Sequence, residues 1–134
     1  MKSFKDPITY DPARPVIEHN HDYLELAVLL EIWNFWELSS VFDPESQKIQ
    51  REVSLSCLAI LLTINRCVDP KTKSQVPTWY KKTALPFLLQ APVSEINPSR
   101  IFRELDFIEK CKDPIAQHLC KKMKEYDPEA MNFL

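Results

Sequence analysis

The stretch VSLSCLAILLTINRCVDPKTKSQVPTWYKKTALP, Val53 to Pro86, decides how this chain is read. Its opening run, Val53 to Ile64, is apolar almost all round. A membrane span needs about 20 such residues, and Arg51, Glu52 and Arg66 bracket the run closely. It therefore reads as the buried central helix of a small bundle. The helix is predicted to start near Pro44, to carry a polar first half in ESQKIQREV, and to end near Cys67. It stops before Asp69-Pro70, because a residue preceding proline is pushed out of the helical region. A third helix is expected over Thr72 to Lys82, with Pro77 splitting it into a turn and a helical piece. Trp79 reads as a core anchor, with base stacking as the alternative role. ALPFLLQ, Ala84 to Gln90, reads as a short apolar element closing over the core.

Outside this stretch the chain is punctuated by proline. Its 134 residues suit one domain with a single core. Apolar residues make up 45% and charged residues 27%, an ordinary soluble composition that argues against wholesale disorder. Glycine is absent, so turns at positive φ are expected to use Asn or Asp, or to be avoided. Pro7, Pro12, Pro44, Pro70, Pro114 and Pro128 each follow Asp, and Pro98 follows Asn. Such pairs suit a helix N-cap and first position, where the missing N–H costs nothing.

The fold expectation is all-α: a small bundle of about five helices with an extended N-terminal arm. Residues 1–20 read as the arm, with PITY as a candidate strand, residues 21–126 as the helical domain, and 127–134 as a stub. The first helix is predicted over Asp22 to Leu38, with Leu24, Ala27, Val28, Ile32, Phe35 and Trp36 as its inner stripe and Leu30 and Trp33 widening it. The fourth runs from Asn97-Pro98 to about Cys111, with Ile101, Leu105 and Ile108 inside and Phe102 beside them. The fifth starts at Asp113-Pro114, with Ile115, Leu119, Met123 and Tyr126 inside.

Charge is unevenly distributed. Val16 to Gln47 holds seven acids and no Lys or Arg, whereas Lys48 onward holds fourteen basic and ten acidic residues. That asymmetry admits two readings, mixed solvated helix surfaces or a nucleic-acid face on the second part. The absence of glycine rules out a P-loop, a dinucleotide fingerprint and a G-x-S-x-G elbow. His19 and His21 are too few for a metal clip, and Cys67, Cys111, Cys120 and His118 lack the paired spacing of zinc modules. With no signal peptide, the four cysteines read as reduced thiols in a cytoplasm. No independent catalytic site and no cofactor site is visible.

The remaining chemistry is cationic. Arg66, Lys71, Lys73, Lys81 and Lys82 face one acid, Asp69, between Asn65 and Lys82. Lysine and arginine neutralise phosphates, while Asn and Gln read adenine edges and Arg reads guanine. Asn65, Arg66, Lys71, Lys73 and Gln75 thus make a candidate DNA-facing surface, with Lys81 and Lys82 beside it. The structural alternative is a solubilised turn in which Asn65 bonds the end of its own helix. Arg100 and Arg103 lie at a helix start, where helix–turn–helix proteins place contact residues. The alternative there is pairing of these arginines with Glu104, Asp106 or Glu109.

Read in order, Asn65-Arg66, Asp69-Pro70, Thr72-Lys73, Trp79, Thr83-x-Leu85-Pro86, Phe102-Arg103-x-Leu105-Asp106 and His118-Leu119 form a recognisable pattern. It resembles bacterial insertion-sequence transposases of the DDE class, in the broad superfamily named after insertion sequence four. The resemblance extends more weakly back into the first helix. Thr72 replaces a serine, Phe102 replaces a tyrosine, and a glycine between the first two helices is missing. In that family the helical region precedes an RNase H-like catalytic domain holding divalent metal such as Mg. The resemblance implies that the short apolar run MNFL, Met131 to Leu134, stands where that domain begins, and that the catalytic carboxylates are missing. The expectation is a truncated transposase fragment in a bacterial cytoplasm. It binds double-stranded transposon-end DNA and helps assemble the transpososome, without catalysis or cofactor of its own. The alternative is a protein–protein module that dimerises or docks on the transposase catalytic domain without touching DNA.

Overall fold

The computed structural model describes residues 23–129. The expected arm, its PITY strand and the last five residues of the expected stub lie outside the described residues. Within them the fold is all-α, with seven helices, one 3-10 turn and no strand.

Ser54 starts the helix on which the rest is built. Its Oγ accepts from the Cys57 N–H at 3.1 Å, satisfying one of the donors that a helix start leaves open. The helix that follows, α3 (Leu55–Val68), buries Leu55, Leu58, Ala59, Ile60, Leu61 and Ile64. It ends at Asp69, as the Asp69-Pro70 break predicts. Around it pack α1 (Leu24–Phe35), α2 (Ser39–Ser46), α4 (Val76–Lys81) and α6 (Pro98–Lys110). The short α5 (Leu85–Leu89) packs on α4, and α7 (Lys112–Tyr126) packs on α2 and α6. A 3-10 turn, Val93–Glu95, sits against α4.

The helix count exceeds the expected five for identifiable reasons. The single helix predicted over Pro44 to Cys67 is two helices, α2 and α3, separated by residues 47–54. Arg51 fastens the break. Its Nη1 donates to the carbonyls of Glu45, Ser46 and Ile49 at 3.0, 3.1 and 3.2 Å. These contacts satisfy carbonyls at the end of α2 that a continuing helix would otherwise have bonded. Pro44 lies inside α2 rather than at its start. Pro77 does open a helix, α4, and Pro86 opens α5. Thr83 Oγ1 donates to the Tyr80 carbonyl at 2.8 Å and accepts from the Leu85 N–H at 3.2 Å, which hinges α5 onto α4.

Among the described residues, only Asn97-Pro98 works fully as an N-cap pair. Asn97 Oδ1 accepts from the Arg100 N–H at 2.9 Å, with Pro98 in the first position of α6. At α7 the pair Asp113-Pro114 falls within the first turn, and Cys111 alone joins α6 to α7.

Among the described residues, positive φ is met neither by Asn nor by Asp, contrary to expectation. Glu37 has φ 51° and Gln90 φ 52°. Glu37 closes α1 in a Schellman arrangement: Leu38 N–H reaches the Trp33 carbonyl at 3.2 Å, and Glu37 N–H the Asn34 carbonyl at 2.9 Å.

Helix α1 turns inward a different face from the main stripe expected, although Trp33, expected to widen that stripe, is buried. Leu26 and Trp33 are its buried residues, while Leu24, Val28, Ile32 and Phe35 are exposed. Trp33 stacks on Phe42 at 5.9 Å and donates from Nε1 to Ser39 Oγ at 2.8 Å. In α6, Ile101 is buried, but Phe102 is exposed and Glu104 is buried in the stripe. In α7, Ile115 packs against the core while Met123 and Tyr126 stay exposed. His118 Nε2 is 2.7 Å from the Trp36 carbonyl, and Lys122 pairs with Glu37 at 2.7 Å. Polar contacts thus fasten α7 to the corner between α1 and α2.

Candidate nucleic-acid interface

The nine cationic and amide residues singled out in the sequence do not form one surface. The structure sorts them into a groove beside α3, a cleft beside α6, and the exposed end of α4.

Asn65 does not face solvent. It is 3% exposed. Its Nδ2 donates to the Asp69 carbonyl at 2.9 Å, and its Oδ1 accepts from the Lys71 N–H at 3.1 Å. It clamps the loop that leaves α3, so its position gives it no reach to a base edge. Gln75 is also occupied locally: its Oε1 accepts from Thr72 Oγ1 at 3.0 Å and lies 3.4 Å from the Thr72 N–H. The clamp has a consequence for its neighbours, because it sets the path of the backbone that carries Lys71 and Lys73.

Arg66, Lys71 and Lys73 line one groove of about 530 Å³. Leu38, Phe42, Leu62, Leu105, Ile108 and Ile115 supply its apolar wall. Lys71 pairs with Asp69 at 2.8 Å. Among the described residues, Arg66, Lys73, Lys81 and Lys82 take part in no ion pair, and all four are exposed. Lys81 and Lys82 stand at the C-terminal end of α4, where positive charge suits the helix dipole. They do not line the groove. Trp79 is buried, which fits the core role rather than base stacking.

Arg100 and Arg103 line a second cleft, of about 790 Å³, between residues 49–53 and α6. Arg51, Glu52, Glu104 and Phe107 line it too. Arg51 Nε donates to Glu104 Oε2 at 2.8 Å, and Arg103 Nε approaches Glu104 Oε1 at 3.4 Å. Arg100 pairs with Glu52 at 2.9 Å and with Glu95 at 2.8 Å, rather than with its helix neighbours. Glu52 and Glu95 share a hydrogen bond that raises the Glu95 carboxyl above the usual carboxylate range and, together with Arg100, lowers that of Glu52. Arg51 also lies over the Phe107 ring at 4.8 Å, as does Lys110.

Groove and cleft occupy different sides of α6. At about 100° per residue, Arg100, Arg103, Glu104 and Phe107 cluster around one direction, and Leu105 and Ile108 roughly 100° away. Sequence reasoning named Glu104 only as a surface partner for Arg100 or Arg103, and missed both its burial and Arg51. Glu104 had a legible signal: it sits three residues after Ile101 and three before Phe107, and a carboxylate on a buried stripe requires a partner. Arg51 had none, since its run is polar and its partner lies 53 positions away.

The cysteines stay apart in environment, with Cys111 buried and Cys67 and Cys120 exposed. Among the described residues no group of three or more His, Cys, Asp or Glu is arranged to hold a metal ion. No described helix is long and apolar enough to cross a membrane. Comparisons with protein-family models, with curated proteins and with solved structures found no match to this chain.

Proposed function

We propose that this chain is a DNA-binding helical domain, the amino-terminal region of an insertion-sequence transposase. In this reading it grips double-stranded transposon ends in the bacterial cytoplasm and helps build the transpososome. Strand cleavage and transfer, with their divalent metal, belong to a separate catalytic domain. This chain then needs no cofactor and does no catalysis alone.

The observation that carries the reading is the convergence of Arg66, Lys71 and Lys73 on one groove mouth. Exposed cations on a turn and the adjoining helix ends suit the phosphate backbone, whose neutralisation releases counterions. The test is duplex binding followed by fluorescence anisotropy across a salt series. Binding should weaken steeply as salt rises. The double variant Lys71→Ala, Lys73→Ala should lower both affinity and the salt slope, the latter by about 0.9 per lost phosphate contact. A flat salt response, or an unchanged slope in the double variant, would sink the reading.

A second reading, a dimerisation or docking module, is favoured by a specific feature. Leu24, Val28, Ile32 and Phe35 form an apolar stripe along the outer side of α1, with Leu24 76% and Phe35 60% exposed. Phe35 also meets Tyr126, 76% exposed, edge to face at 5.8 Å. Contiguous apolar surface of this kind marks interaction sites. Sedimentation analysis tests it. A dimer that Ile32→Lys converts to a monomer supports the reading. A monomer at all concentrations, with no affinity for a supplied catalytic domain, rejects it.

A further inference from the structure

We propose that the cleft between residues 49–53 and α6 is an oxyanion site that takes a phosphate group. The inference is independent of the DNA reading above, since Arg66, Lys71 and Lys73 belong to the other side of α6.

Three guanidinium groups, from Arg51, Arg100 and Arg103, line this one cleft. They arrive from two elements far apart in sequence, the loop before α3 and the first turns of α6. The acids among the lining residues are Glu52 and Glu104, with Glu95 behind Arg100. Outside the lining residues, Lys110 places a further cation over the Phe107 ring at 4.8 Å. The carboxylates do not exhaust the arginines. A guanidinium carries five N–H donors. Glu104 accepts from Arg51 Nε and Arg103 Nε, and Glu52 and Glu95 both meet Arg100 Nη2. Left over, buried and without a partner among the described residues, are Arg51 Nη2, Arg100 Nε and Arg100 Nη1.

Such orphaned charged donors are costly. Arg51 is the strongest case, because its side chain is only 5% exposed and its guanidinium is held by Glu104, by three carbonyls and by Phe107. It cannot relieve the unpaired Nη2 by swinging into water. Its Nη2 is closed to solvent as the cleft stands, so an anion oxygen reaches it only once the exposed Arg103 side chain and the cleft wall shift around the ligand. A tetrahedral phosphate presents acceptors in several directions and suits donors supplied by separate guanidiniums. Arg103, with 64% of its side chain exposed and only its Nε engaged by Glu104, can turn its other N–H donors onto an anion in the cleft. A cleft of about 790 Å³ also leaves room for the ester that carries the phosphate.

The phosphate has two possible sources, free phosphate and the backbone of a nucleic acid. The experiment uses the full chain at constant ionic strength, with chloride as the balancing anion. Inorganic phosphate is titrated while the arginine Nε–H resonances are followed by NMR. Saturable shifts at Arg51, Arg100 and Arg103 are expected. Arg103→Gln, at an exposed position, and Arg51→Lys, which keeps the charge, should each weaken phosphate about tenfold or more. Should Arg51→Lys fail to fold, Arg103→Gln carries the test alone. Duplex DNA is then added to the phosphate-loaded protein. Displacement of phosphate, with weaker DNA binding in Arg103→Gln, assigns the site to a backbone phosphate. DNA binding that leaves phosphate in place assigns it to free phosphate. No saturable shift, a shift confined to Arg66, or equal affinity in Arg103→Gln overturns the proposal.

Discussion

Arg51 and Glu104, 53 positions apart, meet at 2.8 Å with each side chain only 5% exposed. This ion pair joins the loop between α2 and α3 to the middle of α6. An exposed pair would contribute at most about 1 kcal/mol, but removing one partner of a buried pair strands a charge and costs about 3–5 kcal/mol. Glu104→Ala should therefore lower unfolding stability by about that amount in urea titrations, and Glu104→Gln by less. A loss below about 1 kcal/mol would mean the pair behaves as a surface contact.

The Asn65 clamp makes a separate prediction. Asn65→Ala leaves the Asp69 carbonyl and the Lys71 N–H without their partner. The expected cost is about 1–3 kcal/mol of stability for each group left buried and unpaired. If Asn65 is purely architectural, DNA affinity measured well below the melting temperature should change much less than in the lysine double variant. A change in base preference on Asn65→Ala would return it to the reading surface.

Gln90 ends α5 at φ 52°, ψ 27°, a left-handed conformation that a side chain disfavours. Gln90→Gly removes that penalty at some cost in unfolded-chain entropy. A net stabilisation of about 0.5–1 kcal/mol is expected, visible as a melting temperature a few degrees higher. An unchanged or lower melting temperature would show that the Gln90 side chain contributes more than its backbone costs.

Tyr80 and Cys57 predict alkaline sensitivity. Burial pushes the Tyr80 phenol up to about 12, with the Cys57 thiolate adding to it, and burial alone pushes the Cys57 thiol up to about 11. Both folded-state values lie above the ordinary ones, so the unfolded chain releases these protons first. Their contribution is fully present below the ordinary values and is lost as pH rises towards 11 and 12. Stability measured by urea should fall above about pH 9 and more steeply above about pH 10. Tyr80→Phe should flatten the second phase. It should also cost about 1–3 kcal/mol near pH 7, because the Ala91 carbonyl loses the hydroxyl that donates to it at 2.8 Å.

The orientation of α1 can be read from two leucines two residues apart. Leu26 is 2% exposed and Leu24 76%. Leu26→Ala should cost about 2–5 kcal/mol, and Leu24→Ala should stay within about 0.5 kcal/mol in the monomer. The reverse order would place the expected stripe back in the core.

Much of this architecture was legible in the sequence. Val53 to Ile64 was bound to be the core helix, because a run apolar on all sides and too short for a membrane has nowhere else to go. The Asp69-Pro70 stop, the helix opening at Pro77 and the Asn97-Pro98 cap followed from local sterics and hydrogen-bond needs. These are short-range constraints, and neighbouring residues suffice to state them.

Tertiary structure decided what short range leaves open. Helix α1 is apolar on both sides, so periodicity could not choose which stripe faces α3; packing buried Leu26 and Trp33 and left Leu24, Val28, Ile32 and Phe35 outside. The segment between α2 and α3 is held by Arg51 and its partner Glu104, which only the docking of α6 brings within reach. Docking likewise divided the candidate cations, gathering Arg66, Lys71 and Lys73 at one groove and adding Arg51 to Arg100 and Arg103 at a separate cleft. Residue types and periods determine which segments are helices. Which charges share a site depends on the distances between helices, and those exist only once the core has closed.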